Sequence, residues 1–296
     1  MFSRNAERKY LNRLNTRGIF YNTTETVLPQ TVIAKTVQKH FSEENGKVKK
    51  ALIIGFDGAR ADSMHLLCES EDKAVTGNLF CSEYNAVNAL KQTGGLYLSF
   101  AGGVPENPQE TSTAQGWSAI LTGVWGDENG VKAHKTMRRD CPTILRTLAQ
   151  NGTSAAFLAE WQDHFTVTYK DEMEIAEKEQ LPVTFRKYED DRALEQAFLR
   201  EIEAGTNCIF GIFEAPDYNG HSTGFSNENP RYAAAVCRLD AVAYRLMQAV
   251  RARETFQNED WLILITSDHG GHKTGHGTQK AEDRMTFIAA NQKISE

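Results

Sequence analysis

An aspartate and three histidines follow one short apolar run near the end of the chain. The run, Trp261 to Ile265, has the length and residue types of a strand buried on both faces. Asp268 and His269 come next, and a glycine-rich loop then carries His272 and His276. These are three of the eight histidines of the chain, a density that a solvated loop does not explain. A carboxylate and imidazoles at the end of a strand are typical ligands of zinc.

Two other apolar runs also lead to carboxylates. Asp57 directly follows the run Ala51–Phe56. Asp217 comes shortly after Cys208–Phe213, and His221 lies four residues beyond Asp217. Because ligands bind at the carboxyl edge of a parallel sheet, we expect the three acids to meet there. Unpaired buried carboxylates are costly, so a role in core packing does not account for them.

These positions provide three carboxylates and three imidazoles, enough for two adjacent divalent cations. The expected ligands are Asp57, Asp217, His221, Asp268, His269 and one of His272 or His276. A mixed set of Asp and His favours zinc, with manganese or iron as weaker options. Two cations about 4 Å apart can hold the attacking and the leaving oxygen of a phosphoryl transfer.

A hydroxyl residue that could act as a nucleophile precedes a short apolar helix, which the sequence predicts over Ser118–Thr122. Thr113 lies close to the start of this helix, where backbone N–H groups favour anions. A hydroxyl there is often only a helix cap. A neighbouring cation would make it a competent nucleophile by lowering its pKa. Thr111 and Ser112 are the alternatives to Thr113.

Strands alternate with helices along the chain, which predicts an α/β fold. We expect a three-layer α/β/α sandwich around a mostly parallel sheet. Predicted helices include Arg4–Leu14, Gln30–Phe41 and the long Pro230–Phe256, and the last strand is Arg284–Ala290. Residues 1–48 are predicted to form an N-terminal helical arm packed on one domain, residues 49–296, which holds all the expected ligands.

The composition excludes several classes of protein. The chain has 296 residues with ordinary hydrophobic and charged fractions, and a net charge of −6 without a long basic run argues against a nucleic-acid scaffold. No apolar run approaches the roughly 18 residues that span a membrane, and the polar N-terminus lacks the apolar core of a signal peptide. Five cysteines without Cys-x-x-Cys spacing indicate reduced thiols. We therefore expect a cytoplasmic protein with no membrane partner.

Four motifs, in order along residues 51–277, resemble the alkaline phosphatase superfamily, and most closely its nucleotide pyrophosphatase/phosphodiesterase branch. The branch opens with a strand and a metal-binding aspartate, matched by Ile54-Gly55-Phe56-Asp57-Gly58. Its nucleophilic threonine precedes a Thr-Gly pair by nine residues, as Thr113 precedes Thr122-Gly123. Its Pro-Asp-x-x-Gly-His and Ser-Asp-His-Gly motifs match residues 216–221 and 267–270.

The resemblance implies an alkaline-phosphatase-like fold and a division of the ligands between two cations. One cation would be held by Asp57, Asp268, His269 and the Thr113 oxygen. The other would be held by Asp217, His221 and a third histidine, which lies much further along in relatives with a cap domain. Here we expect His276, in a Gly-His-Gly context, with His272 as the alternative.

The sequence departs from the branch in two places. Ala114-Gln115-Gly116-Trp117 stands where the branch has Pro-Asn after the threonine. The branch also has a phosphate-binding asparagine 21 residues after the nucleophile, and here that position is His134. His134 is therefore a candidate substrate-binding residue, and Asn129 is the nearby amide if the loop register differs.

The predicted function is a metal-dependent phosphohydrolase, of the phosphodiesterase or nucleotide pyrophosphatase type, that acts through a phospho-threonine intermediate. Its substrate would be a small phosphate ester such as a nucleotide. A phosphomonoesterase, a phosphonate hydrolase and a non-catalytic metal- or nucleotide-binding relative are the alternatives. Sulfatases are disfavoured because no Cys/Ser-x-Pro-x-Arg motif is present. The sequence leaves a homodimer open.

Overall fold

An eight-stranded sheet lies at the centre of the described part of the chain. The structure is a computed structural model that describes residues 20–21, 27–68 and 85–294, so the predicted helix Arg4–Leu14 lies outside the described residues. The strands are β1 Leu28–Pro29, β2 Val48–Phe56, β3 Gly95–Phe100, β4 Gly103–Val104, β5 Asn107–Pro108, β6 Ala155–Ala159, β7 Val183–Lys187, β8 Cys208–Phe213, β9 Glu259–Thr266 and β10 Met285–Ala290. Strands β4 and β5 form a separate two-stranded sheet.

The order of the large sheet is β1-β3-β10-β9-β2-β8-β6-β7. Strand β10 is antiparallel to both of its neighbours, and the other paired strands run parallel. The prediction of a mostly parallel sheet is therefore confirmed.

Helices cover both faces of this sheet. They are α1 Val32–Ser42, α2 Met64–Cys68, α3 Ala86–Thr93, α4 Thr113–Thr122, α5 Gly126–Asn129, α6 Ile144–Gln150, α7 Lys170–Lys178, α8 Asp191–Ala204, α9 Ala215–Thr223, α10 Pro230–Arg251 and α11 Ala281–Arg284. A π-helical turn, His164–Thr168, precedes α7. None of the helices in the described ranges has the length and apolar character required to cross a membrane.

Side chains that alternate along β2 divide the core into two layers. Leu52 and Ile54 belong to the cluster that α8 and α10 cover. Ala51 and Ile53 belong to the cluster on the other face, which α1, α4 and α6 cover. Parallel strands with helices on both faces must be apolar on both sides, which confirms the predicted three-layer α/β/α sandwich.

The described part of the predicted N-terminal arm contributes to the same sheet. Leu28 and Pro29 pair with Ser99 and Phe100 of β3. Helix α1 packs against α4 and α6 on one face of the sheet. The division of the chain at residue 48 stays a prediction.

Helix α4 begins at Thr113, five residues before the predicted start at Ser118. The first half of this helix was not predicted from the sequence because it contains Gly116, and glycine is a poor helix former. A Cβ at Gly116 would lie 2.6 Å from the backbone oxygen of Asp268. The glycine therefore allows the first turn of α4 to approach the end of β9.

The aromatic layer under β6 allows a test of the fold. Phe157 is fully buried and stacks on Phe210 with 5.7 Å between ring centroids, and the partly buried Phe185 contacts it from the edge strand β7. We expect Phe157→Ala to lower the free energy of unfolding by about 3–5 kcal/mol because it leaves a cavity beside β6, a strand that is paired on both sides. The control, Phe185→Ala, should lower the free energy of unfolding by about half as much or less, because Phe185 is only partly buried. Urea denaturation of both variants would contradict this packing if the two losses were equal.

Candidate functional site

Three neighbouring strands bring the predicted acids to one edge of the sheet. Strand β2 lies between β9 and β8. Asp57 directly follows β2, and Asp268 follows β9 after one intervening residue. Asp217 differs from the expectation of a strand end, since it lies in the first turn of α9. Pro216 favours this early helix start because its fixed φ suits a first turn.

Asp57, Asp268 and His269 form an inner donor group, whose ligand atoms lie within 4.8 Å of one another. His269 Nε2 is 3.4 Å from Asp57 Oδ1 and 3.3 Å from Asp268 Oδ2. His269 Nδ1 lies 2.7 Å from the carbonyl oxygen of Gly270. Because a carbonyl only accepts, Nδ1 carries the proton and Nε2 presents its lone pair to the two carboxylates.

Asp217, His221 and His276 form an outer donor group of the same size, which is less buried. The Nδ1 atoms of His221 and His276 donate to the carbonyl oxygens of Thr274 and Thr111, each at 2.9 Å. Their Nε2 atoms therefore face each other at 3.1 Å. His276 Nε2 is also 3.7 Å from Asp217 Oδ1. Two imidazole lone pairs this close to each other and to a carboxylate repel one another unless a shared proton or a cation lies between them.

The Thr113 hydroxyl lies against the inner group and opens into the same cavity as the outer group. Its oxygen is 3.5 Å from Asp57 Oδ1 and 3.4 Å from His269 Nε2. The rings of His269 and His276 stack with 4.0 Å between centroids, so the two groups are adjacent. Thr113, His221 and His276 line a cavity of about 270 Å³. A phosphoryl group in this cavity could reach the hydroxyl and the outer group together.

Burial makes the carboxylates of the site costly to ionise. It raises the pKa of Asp57 to about 7. It raises the pKa of Asp217 to about 9, and the charges of Asp57 and Glu214 add to the effect. The pKa of Asp268 is also raised well above its usual value by burial and the neighbouring acids. Burial lowers the pKa of His269 well below its usual value, which keeps that imidazole neutral.

Divalent cations would satisfy the ligand atoms of both donor groups better than hydrogen bonds within the groups do. Asp268 Oδ2 and Asp217 Oδ1 are buried atoms to which the described residues offer no hydrogen-bond donor. Neutral imidazoles beside such oxygens do not offset their charge. A cation would stabilise the ionised carboxylates and accept the imidazole lone pairs. The chemistry of the donor set, oxygen and nitrogen without sulfur, is that of zinc, manganese or iron.

The alternative ligand His272 lies in a different environment from His276. Its Nδ1 is 2.7 Å from Oδ1 of the buried Asp283, whose other oxygen accepts from the backbone and hydroxyl of Thr278. This network holds both ends of the loop that carries His276. The structure thus brings His276 to the outer group and leaves His272 in the anchor of the loop.

The two hydroxyls considered beside Thr113 differ from it in their contacts. Thr111 Oγ1 donates to the backbone oxygen of Thr278 and accepts from the N–H of Gly277, so it ties down the loop of His276. Ser112 is the N-cap of α4 and lines the cavity without a side-chain capping bond. Thr113 lies within hydrogen-bond distance of the inner group.

His134 lies in the wall of the cavity. Its ring stacks on Trp161 with 5.0 Å between centroids, and its Nε2 is 3.3 Å from Asp163 Oδ2. Asn129, the alternative amide, is fully buried and donates to the hydroxyl of Thr122 and the carbonyl of Val124. His134 therefore lines the cavity, whereas the side chain of Asn129 is buried in hydrogen bonds to Thr122 and Val124.

Sequence reasoning missed several residues that support the site. Trp117 is fully buried, and its indole donates to Asp57 Oδ2 at 2.9 Å. Trp161 was not expected in the cavity wall, and Asp283 was not expected to anchor the histidine loop. The spacing of Trp117, four residues after Thr113, was the one available signal, since residues four apart share a helix face.

A sequence pattern described as type I phosphodiesterase/nucleotide pyrophosphatase matches residues 107–290. The matched range contains Thr113, the outer donor group and two of the three inner residues. No curated protein sequence matches the chain.

Several solved structures share the fold. Murine ectonucleotide pyrophosphatase/phosphodiesterase 5 has a TM-score of 0.51 at 17% identity, with 75% of this chain and 57% of that protein covered. An inactive threonine-to-alanine variant of it, in complex with AMP, has a TM-score of 0.50 at 16% identity, with the same coverage. Phosphonoacetate hydrolase from Sinorhizobium meliloti 1021 has a TM-score of 0.50 at 13% identity, covering 76% of this chain and 57% of that protein. The chain thus spans little more than half the length of these relatives.

The raised pKa values predict that metal binding releases protons. Without a cation, Asp217 holds a proton at neutral pH and Asp57 is about half protonated there, because their pKa values are raised to about 9 and about 7. A bound cation requires both carboxylates ionised. The apparent affinity for Zn²⁺ should therefore rise with pH up to about 9, the pKa of Asp217. Calorimetric titrations in two buffers of different ionisation enthalpy count the released protons.

The variant Asp217→Asn is the comparison for this titration, because the pKa of Asp217 is higher than that of Asp57. It should release fewer protons than the wild type at the same pH. Binding without proton release, or with an affinity that does not change between about pH 6 and about pH 9, would contradict the electrostatic description of the site.

Proposed function

The chain belongs to the type I phosphodiesterase/nucleotide pyrophosphatase family, and we propose that it is a metal-dependent hydrolase of phosphate esters with Thr113 as its nucleophile. The observation that carries the proposal is the meeting of two three-residue donor groups at the Thr113 hydroxyl. The inactive threonine-to-alanine variant of the murine relative supports a threonine in this role.

Two divalent cations, preferably Zn²⁺, would be held by this chain. Asp57, Asp268, His269 and the Thr113 oxygen would hold one, and Asp217, His221 and His276 the other. When bound, such cations lower the pKa of a hydroxyl and offset the charge that develops on a leaving oxygen.

The proposed reaction consists of two displacements at phosphorus. The Thr113 oxygen, which gives up its proton to solvent, attacks the phosphorus in line and forms an ester bond. The bond from phosphorus to the leaving oxygen breaks, and this oxygen takes up a proton from solvent and departs as an alcohol. Water then cleaves the phospho-threonine and restores the hydroxyl. Two inversions give net retention of configuration at phosphorus.

The N-terminus of α4 contributes to this reaction. Thr113 is the first residue of the helix, and its preceding residue adopts an extended backbone conformation. Backbone N–H groups of the first turn therefore face the cavity without partners inside the helix. They are suited to bind the phosphoryl oxygens.

We favour a diester substrate because the cavity extends beyond Thr113. His134 and Trp161 stack on each other in its lining, which also includes Glu110 and Gln115. A flat aromatic wall beside a phosphoryl site can hold a second ester group by stacking. AMP, the ligand of the murine relative, carries a flat base that can stack in this way.

The test is an assay of the zinc-loaded protein on an aryl ester of a nucleoside 5′-monophosphate and on the matching aryl phosphate monoester. We expect a preference for the diester of more than about a hundredfold in kcat/KM, or about 2.7 kcal/mol. A preference for the monoester would contradict the diester assignment and indicate a phosphatase. Turnover of a phosphonate alone would indicate a phosphonate hydrolase.

Thr113→Ala should lower kcat by at least about a thousandfold, because it removes the hydroxyl that contacts the inner donor group. The control is Thr36→Ala, which removes a hydroxyl that bonds to Val32 within α1, away from the cavity. Mass spectrometry of the quenched wild type should find a phosphate on the peptide of Thr113. A Thr113→Ala protein that keeps the activity of the control would contradict the role of Thr113 as the nucleophile.

A further inference from the structure

Trp117 contacts the inner donor group from within the core. It lies on α4 one turn after Thr113, and its side chain is fully buried. The indole Nε1 donates to Asp57 Oδ2 at 2.9 Å. An indole offers a single donor and no acceptor, so this bond has one direction and engages one oxygen of the carboxylate.

The bond separates the roles of the two oxygens of Asp57. Oδ2 accepts from the indole, while Oδ1 faces Thr113 Oγ1 at 3.5 Å and His269 Nε2 at 3.4 Å. We propose that Trp117 is a positioning residue, which holds Asp57 so that Oδ1 points to the cation site and the nucleophile. This inference rests on the proposed metal-dependent function.

The indole itself is held by the strand it crosses. A Cβ at Gly55 would lie 2.5 Å from an indole carbon of Trp117, so the strand has glycine where the ring passes over it. The ring of Phe210 packs edge-on against the indole with 5.8 Å between centroids. Because the ring is fixed, its hydrogen bond fixes the orientation of the Asp57 carboxylate. Hydrogen-bond partners of metal ligands commonly orient the ligands in this way.

The helix makes the nucleophile and the positioning group one rigid unit. Thr113 and Trp117 are four residues apart on α4 and share a face of the helix. Both contact Asp57, through Oδ1 and Oδ2 respectively. The distance between the hydroxyl and the carboxylate is therefore set by helix geometry and by two hydrogen bonds to one side chain.

The chain contains a matched control for this bond. Trp261 is also buried and donates its indole N–H to a carboxylate, Glu259 Oε2, at 2.8 Å. It lies near the start of β9, whereas the site lies beyond the other end of that strand. Trp117→Phe and Trp261→Phe each remove one indole–carboxylate bond and keep an aromatic ring.

The experiment is a calorimetric titration of the metal-free 296-residue proteins with Zn²⁺. We expect Trp117→Phe to weaken one of two Zn²⁺ sites by about 10- to 100-fold and to leave the other unchanged. Trp261→Phe should keep both affinities of the wild type. A purely structural role for Trp117 would lower the melting temperature of the metal-free protein without this selective loss.

A second measurement does not depend on the folding of the variant. In wild-type protein labelled with ¹⁵N-tryptophan, Zn²⁺ should shift the indole N–H resonance of Trp117 and leave that of Trp261 in place. The four indole signals are assigned from single Trp-to-Phe variants, and that of Trp117 by elimination if necessary.

The outcomes separate this inference from the proposed function. A wild type that binds two Zn²⁺ ions, with equal affinities in Trp117→Phe or an unmoved Trp117 resonance, overturns the positioning role alone. A wild type that takes up no Zn²⁺ overturns the proposed function and the positioning role with it. Selective loss at one site together with a shifted resonance supports both.

Discussion

Three carboxylates, Asp57, Asp217 and Asp268, share a largely buried space at one edge of the sheet, and the organisation of the site follows from their mutual repulsion. The partners that the described residues provide are imidazoles, hydroxyls, backbone N–H groups and one indole. No lysine or arginine side chain is among these partners of the three carboxylates. Because buried charges without compensation cost several kcal/mol each, such a cluster is understandable as a site for cations.

Close backbone approach is the means by which the fold holds this cluster together. Gly116 lets helix α4 contact the end of β9 at Asp268. Gly58 adopts φ +67°, and a Cβ there would lie 2.8 Å from an oxygen of Asp217. A residue with a side chain at either position would push a helix away from the sheet edge. Thr113, the inner group and the outer group are thus close because glycines allow close backbone approach at two contacts.

Much of this arrangement could be predicted from the sequence, and the remainder depends on tertiary contacts. The alternation of apolar runs and helices predicted the sandwich, since both faces of parallel strands must be apolar. The resemblance placed Asp217 and His221 in one group, but the sequence did not place them on a helix, because Gly220 is a poor helix former. The stacking of His134 on Trp161, 27 residues later, has no local signal. The bond from Trp117 to Asp57 likewise depends on packing across the sheet. The ligand roles themselves stay predictions.

Native mass spectrometry of the zinc-loaded chain tests the central claim most directly, because it counts the cations bound by each molecule. The account predicts two Zn²⁺ ions per wild-type chain and one in the variant His276→Ala, which lacks a member of the outer donor group but keeps the inner group intact. A wild type that binds none, or a variant that still binds two ions as tightly as the wild type, would contradict it.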